Sequence, residues 1–209
     1  MNDQRGLIEI PEDLLSSVIK CLTEPGRPIS GALELVPPVP GLYAIGADAV
    51  VWASLGLKAM DSGVPLYVGK SESSLVGRDL DEHFGVDPES VPNTGSSTVR
   101  RSFAALLRES LELQAVPRNK KSPERPANYG LEDGGDLRLT NWMQVHLTLA
   151  WWPKPRELSC PLESVEKKII KKLDPPINIL HARTERKALK GARAAMTAEA
   201  CAWIEENAR

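Results

Sequence analysis

Pro65-Leu66-Tyr67-Val68-Gly69 is the stretch on which the reading of this chain turns. In a β-strand successive side chains point to opposite faces, so Leu66 and Val68 share one face while Tyr67 and Gly69 share the other. A second short segment upstream, Gly41-Leu42-Tyr43-Ala44-Ile45, divides in the same way, with Leu42 and Ala44 on one side and Tyr43 and Ile45 on the other. If the two strands pair, Tyr43 and Tyr67 stand on a common face. The chain has only three tyrosines, so two of them meeting is informative. Residues 46–64, between the strands, are apolar too irregularly to be assigned to an element.

Outward from these strands the pattern is helical. Upstream, Pro11-Glu12-Asp13 opens a helix carrying Leu14, Leu15, Val18, Ile19 and Leu22, which Pro25-Gly26 ends, and a proline-rich connection leads to the first strand. Downstream, Ser71 to Ser74 offer N-caps to a helix with Val76, Leu80 and Phe84 on one side. A further helix from Thr98 places Phe103, Leu106, Leu107 and Leu111 on one stripe and Arg101 and Arg108, two turns apart, on the opposite face, as a solvated charged face or a DNA-facing one. The segment from Pro117 to Pro126 holds Arg118, Lys120, Lys121 and Arg125 and reads as a mobile basic loop.

The third strand is expected over 144–151. There Val145, Leu147, Leu149 and Trp151 alternate with Gln144, His146, Thr148 and Ala150, giving one core face and one more polar face. Pro161 to Leu173 follows as a helix ended by Pro175-Pro176, and the tail from Thr184 is helical with a break near Thr197. The expected fold is α+β: a small antiparallel or mixed sheet of about three strands flanked by helices, with helical additions at both ends. Residues 1–40 form the N-terminal addition, 41–180 the central domain with insertions at 46–64 and 86–140, and 181–209 the C-terminal extension.

Composition bounds the function. A chain of 209 residues with 42% hydrophobic and 26% charged residues is an ordinary globular domain. No basic segment runs into an apolar one at the start and no apolar stretch would cross a bilayer, so a cytoplasmic protein without a membrane partner is expected. Cys21, Cys160 and Cys201 are scattered and odd in number, which implies neither a disulfide framework nor a zinc site. The net charge of −2 argues mildly against a nucleic-acid partner as an average. Its distribution does not, because acids dominate up to Glu89 while 100–125 and 154–193 are basic.

One carboxylate stands out. At about 100° per residue, Leu162, Ile169, Ile170 and Leu173 form an apolar arc, and Glu166 projects from its middle, with Lys167, Lys168, Lys171 and Lys172 on the other side. A carboxylate there is costly unless paired, hydrogen-bonded or holding a cation. A buried salt bridge or backbone hydrogen bond explains it as well as a metal does.

In order, these features resemble the GIY-YIG nuclease superfamily. Gly41-Leu42-Tyr43 matches its first motif and Tyr67-Val68-Gly69 its second, continuing as Lys70-Ser71. The family's arginine on the next helix falls on Arg78, its metal-binding glutamate on Glu166 and its later asparagine on Asn178. Either tripeptide alone is common in strands, whereas the ordered set of five is specific. The large insertions are similar to those of the restriction endonucleases in this family.

The resemblance implies a DNA endonuclease with one Mg²⁺ or Mn²⁺ held by Glu166. Tyr43 would be the general base, with Tyr67 as alternative or positioning partner, and Lys70 would supply the nearby positive charge that a phenol with a pKa of about 10 needs. Arg78 would clamp a phosphate, His83 would assist in phosphate binding or proton transfer, and Asn178 would fix the chain or reach the site. Arg101, Arg108, Arg118, Lys120, Lys121 and Arg125 are candidates for tracking the DNA backbone. RNA stays open as a substrate, as does a homodimer. The rival reading is a catalytically silent nucleic-acid-binding or interaction module that keeps the fold. Glu166-Lys167-Lys168 as an E-x-K fragment, and His146 with Asn141 as an H-N-H site, lack the companion residues those chemistries require.

Overall fold

The computed structural model describes residues 10–32, 34–58, 63–76, 83–85 and 93–207. Its centre is an antiparallel sheet of four strands in the order β1-β6-β2-β3. These are β1 (Arg27–Pro28), β2 (Gly41–Gly46), β3 (Tyr67–Ser71) and β6 (Thr148–Pro153). The two tyrosine strands are neighbours, in the register Tyr43↔Gly69 and Ile45↔Tyr67, which puts both rings on one face as the alternation predicts. β2 also pairs with β6, with Tyr43 opposite Trp151. β3 is therefore the outer edge of the sheet.

Both faces of the sheet are covered by apolar residues. On one, Leu42, Ala44, Val68 and Trp152 pack against Leu15, Val18 and Leu22 of α1 (Glu12–Thr23) and Val165, Ile169 and Ile170 of α6 (Leu162–Leu173). On the other, Tyr43, Ile45 and Leu149 join a larger core with Leu75, Phe84, Phe103 and Met143. That second core draws on the short helices α2 (Ile29–Ala32) and α3 (Ala49–Ser54), on α4 (Thr98–Leu106) and α5 (Gly135–His146), and on α7 (Lys187–Asn207). A small ribbon, β4 (Ala115–Val116) with β5 (Gly130–Leu131), lies in the insertion beside α7.

The third strand corrects the expectation in two ways. Gln144, Val145 and His146 belong to α5, and the strand begins only at Thr148. The helix wins because Leu139, Thr140 and Met143 are buried at helical spacing, while Val145, the first residue of the apparent alternation, is 75% exposed. Nor is the strand's second face polar, since Ala150 and Trp152 pack with α1 and α6. The C-terminal helix likewise runs through Thr197 without a break, the Thr197 hydroxyl donating back to the Arg193 carbonyl at 3.0 Å. Much of the helix expected around Leu80 lies outside the described residues, and no helix among those described is long and apolar enough to cross a membrane.

Candidate functional site

The Tyr43 and Tyr67 rings lie 6.2 Å apart, centre to centre. Gly69 makes room for this pair: a Cβ there would come within 2.5 Å of the Tyr43 Cζ and hydroxyl oxygen, so the strand must carry a residue without a side chain opposite Tyr43. Tyr43 is almost fully buried, and its hydroxyl meets His83 Nε2 at 2.8 Å. The other ring nitrogen, Nδ1, meets the Ser97 hydroxyl at 2.8 Å. Ser97 is the N-cap of α4, accepting the Arg100 N–H at 3.2 Å. A chain of contacts thus runs from Tyr43 through His83 into the insertion.

Electrostatics keeps that imidazole neutral. Burial, and then the charge of Arg100, push the His83 pKa from 6.5 down to about 3. One ring nitrogen donates and the other accepts, so His83 can receive the Tyr43 hydroxyl hydrogen bond when Ser97 takes its other N–H. Arg100 itself is fully buried, donating to the His83 carbonyl at 2.8 Å, Thr140 Oγ1 at 3.0 Å and Asp136 Oδ1 at 3.3 Å. Sequence reasoning singled out none of Ser97, Arg100 and Asp136. A Ser-Thr pair ahead of a helix flags Ser97 as a cap, but nothing local announces a buried arginine whose acid lies on another helix.

Along the free edge of β3 opens a cleft of about 390 Å³ whose walls include Tyr67, Thr98, Glu166, Asn178, Leu180 and Arg193. Glu166 is partly exposed there, beside the fully buried Val165. Glu166 and Ile170, four residues apart on α6, both line the cleft. Asn178 closes the strand edge: its Oδ1 accepts the Val68 N–H at 2.8 Å and its Nδ2 donates to the Val68 carbonyl at 2.8 Å. Ile177 N–H adds a bond to the Leu66 carbonyl at 3.0 Å.

The remaining sequence candidates divide. Arg78 lies outside the described residues. Lys70 is on the opposite face of β3 from both tyrosines, paired with Leu42 in register and bound to Glu72 Oε1 at 2.6 Å, so it does not supply their positive charge. The Glu72 hydrogen bond raises its pKa against desolvation, with Glu72, Glu166 and Glu163 adding to the rise. Arg101 is not on a solvent face, because α7 packs across α4 and leaves it 7% exposed. Arg108 is held by Glu199 of α7 at 2.9 Å. Arg118, Lys120, Lys121 and Arg125 are exposed, Lys120 lying 3.7 Å from Asp133 and over the Trp203 ring.

The family model of the GIY-YIG catalytic domain matches residues 56–195, well over half of the chain. The chain belongs to the GIY-YIG nuclease superfamily. Within this GIY-YIG protein the matched span holds Tyr67-Val68-Gly69, His83, Glu166 and Asn178, while Gly41-Leu42-Tyr43 precedes it. The place of Tyr43 beside the second motif therefore rests on strand pairing and the ring contact. No curated protein and no solved structure matched the chain. Among the described residues of this GIY-YIG domain no three His, Cys, Asp or Glu side chains cluster as a metal cage. Among the described residues Glu166 is the one carboxylate on the cleft wall, a donor compatible with a hard cation that takes its other oxygens from water and substrate.

Proposed function

We propose that this protein is a divalent-metal-dependent endonuclease that hydrolyses phosphodiester bonds in DNA at the cleft along the β3 edge. The observation that carries the reading is that Tyr67 and Glu166, distant in sequence, open into one cleft while Tyr43 packs against Tyr67 and meets His83 through its hydroxyl. Membership of the superfamily supports the reaction class. The cleft lies at a sheet edge with open access, which a polymeric substrate needs.

Hydrolysis forms a bond from a water oxygen to phosphorus, breaks the bond to a sugar oxygen and moves a proton off the attacking water. Mg²⁺ or Mn²⁺ held by Glu166, when bound, supplies charge to the phosphate oxygens and lowers the pKa of coordinated water. Tyr67 meets the substrate at the cleft wall, and Tyr43 and Tyr67 share the tasks of aiming the water and of accepting its proton as phenolate, with the cation and Arg78 in place of Lys70 as the positive charge that form needs, while the departing sugar oxygen is protonated from solvent. His83 acts through Tyr43 as a positioning residue: neutral and weakly basic, it orients the hydroxyl without holding its proton at rest. Arg78 carries the phosphate clamp in this scheme. Asn178 acts by fixing β3, and Arg118, Lys120, Lys121 and Arg125 offer an exposed basic surface to the backbone.

The test is nicking of supercoiled plasmid by the full chain with Mg²⁺ or Mn²⁺, beside Glu166→Gln. The variant is expected to be slowed at least about a hundredfold, the loss typical when a group stabilising the transition state is removed. Undiminished cutting by the variant overturns the mechanism. Binding of DNA with no cutting under any metal replaces it with the silent module.

A further inference from the structure

We infer that Arg118 and Arg193, with the buried Arg101 behind them, form a second phosphate site beside the cleft, gripping a DNA backbone phosphate away from the bond that is cut. The inference rests on the reading of the cleft as a DNA-binding site. Two helices and a connecting segment outside the sheet assemble it. Arg101 comes from α4, Arg118 from the segment after β4, and Arg193 from α7, half-buried on the cleft wall next to Thr98.

The three are linked through Gly95 and Tyr129. Arg101 Nη1 donates to the Gly95 carbonyl at 2.7 Å and Nη2 to the Thr98 hydroxyl at 3.1 Å, so its guanidinium is tied to a residue of the cleft wall. Its Nε is buried with no hydrogen-bond partner, the only such side-chain atom among the described residues. The stem of Arg118 packs on Gly95, where a Cβ would come 2.6 Å from its Cγ. Arg193 hydrogen-bonds the Tyr129 hydroxyl, which donates to the Arg101 carbonyl at 2.7 Å.

Among the described residues no carboxylate neutralises this group. Among the described residues none of the three arginines has an ion pair, and Glu199, the nearby acid, is occupied by Arg108 and by the Ala115 N–H at 3.1 Å. Burial lowers the Arg101 pKa to about 10, and the charges of Arg193 and Arg118 push the same way, so the cluster is held together against its own repulsion. The guanidiniums of Arg118 and Arg193, beside the buried charge of Arg101 and without a carboxylate among the described residues, favour a multidentate oxyanion. Phosphate meets that need with several acceptor oxygens at once. The cleft then has an acidic wall at Glu166 and a basic one at Arg193, and a single strand could span both.

The test measures binding of a fluorescent DNA duplex by anisotropy without divalent metal, from about 50 to about 200 mM salt, where each phosphate contact adds about 0.9 to the slope of log affinity against log salt. Arg118→Gln and Arg193→Gln are each expected to weaken binding about tenfold and to lower that slope by about one. Arg118 is exposed, so its variant should melt with the wild type and reports free of folding effects. Inorganic phosphate should raise the melting temperature of the wild type more than that of either variant. Unchanged affinity and slope in both variants overturns the inference, as does protection by phosphate without any change in DNA binding. Because the assay needs no cleavage, a lowered slope in a protein that cuts nothing would leave this site standing while the endonuclease reading falls.

Discussion

At the scale of the residue, His83 shows how position outweighs type. A histidine on a helix surface is the ordinary expectation on sequence grounds, yet here both ring nitrogens are engaged, by Tyr43 and by Ser97. Burial lowers its pKa to about 3, so the folded protein refuses a proton that the unfolded chain takes up near 6.5. Its contribution to stability is therefore complete above about pH 6.5 and is lost as pH falls from there toward about 3. Between pH 7.5 and pH 5 the loss is about 2 kcal/mol at most, readable from urea denaturation. His83→Gln should abolish that increment of pH dependence. A variant that kept the wild-type dependence would show that the imidazole is not the group responsible.

Among the elements, β3 is the one that matters most, because an edge strand must have its open hydrogen bonds satisfied or covered. Asn178 does this with its side-chain amide, standing in for a fifth strand at Val68. Asn178→Ala should leave a buried N–H and carbonyl unpaired and destabilise the fold by roughly 2–4 kcal/mol. Urea melts together with faster hydrogen exchange at the Val68 amide would record it, and a change under about 0.5 kcal/mol would show that water replaces the amide freely. The asparagine was readable as a motif position, but its partner was not, since Val68 lies 110 residues away. The misread strand at 144–151 has the same origin. A short apolar alternation fits both a strand and the end of a helix, and the bonds from Gln144 Nε2 to the carbonyls of Phe84 at 2.7 Å and Gly85 at 3.1 Å are invisible in one dimension.

For the molecule as a whole, the C-terminal helix is an integral wall. α7 buries Leu189, Met196 and Ala200 against the insertion and covers Arg101. Removing residues 187–209 should expose α4 and β4 and cost several kcal/mol, since burying each large apolar side chain contributes about 1.5–3 kcal/mol. For a chain of this size that corresponds to a fall in melting temperature of about 10 °C or more, or to loss of a cooperative transition. Calorimetry decides it, and a truncated protein melting within about 2 °C of the full chain would make α7 a mere appendage.

The sequence by itself determined the features written in local periodicity: two short strands with Tyr43 and Tyr67 on one face, and a helix turning Glu166 toward its apolar side. It also carried the ordered motifs of the superfamily. Tertiary structure alone decided what covers each face, and with it the fate of the charged residues. Alternation itself puts Lys70 on the far side of β3 from Tyr67, whereas Arg100 became internal because Asp136 and Thr140 meet it from α5. Arg101 was covered by α7. Periodicity records which side a residue faces, whereas its electrostatics depends on what lies there, and that neighbour is brought in from far along the chain.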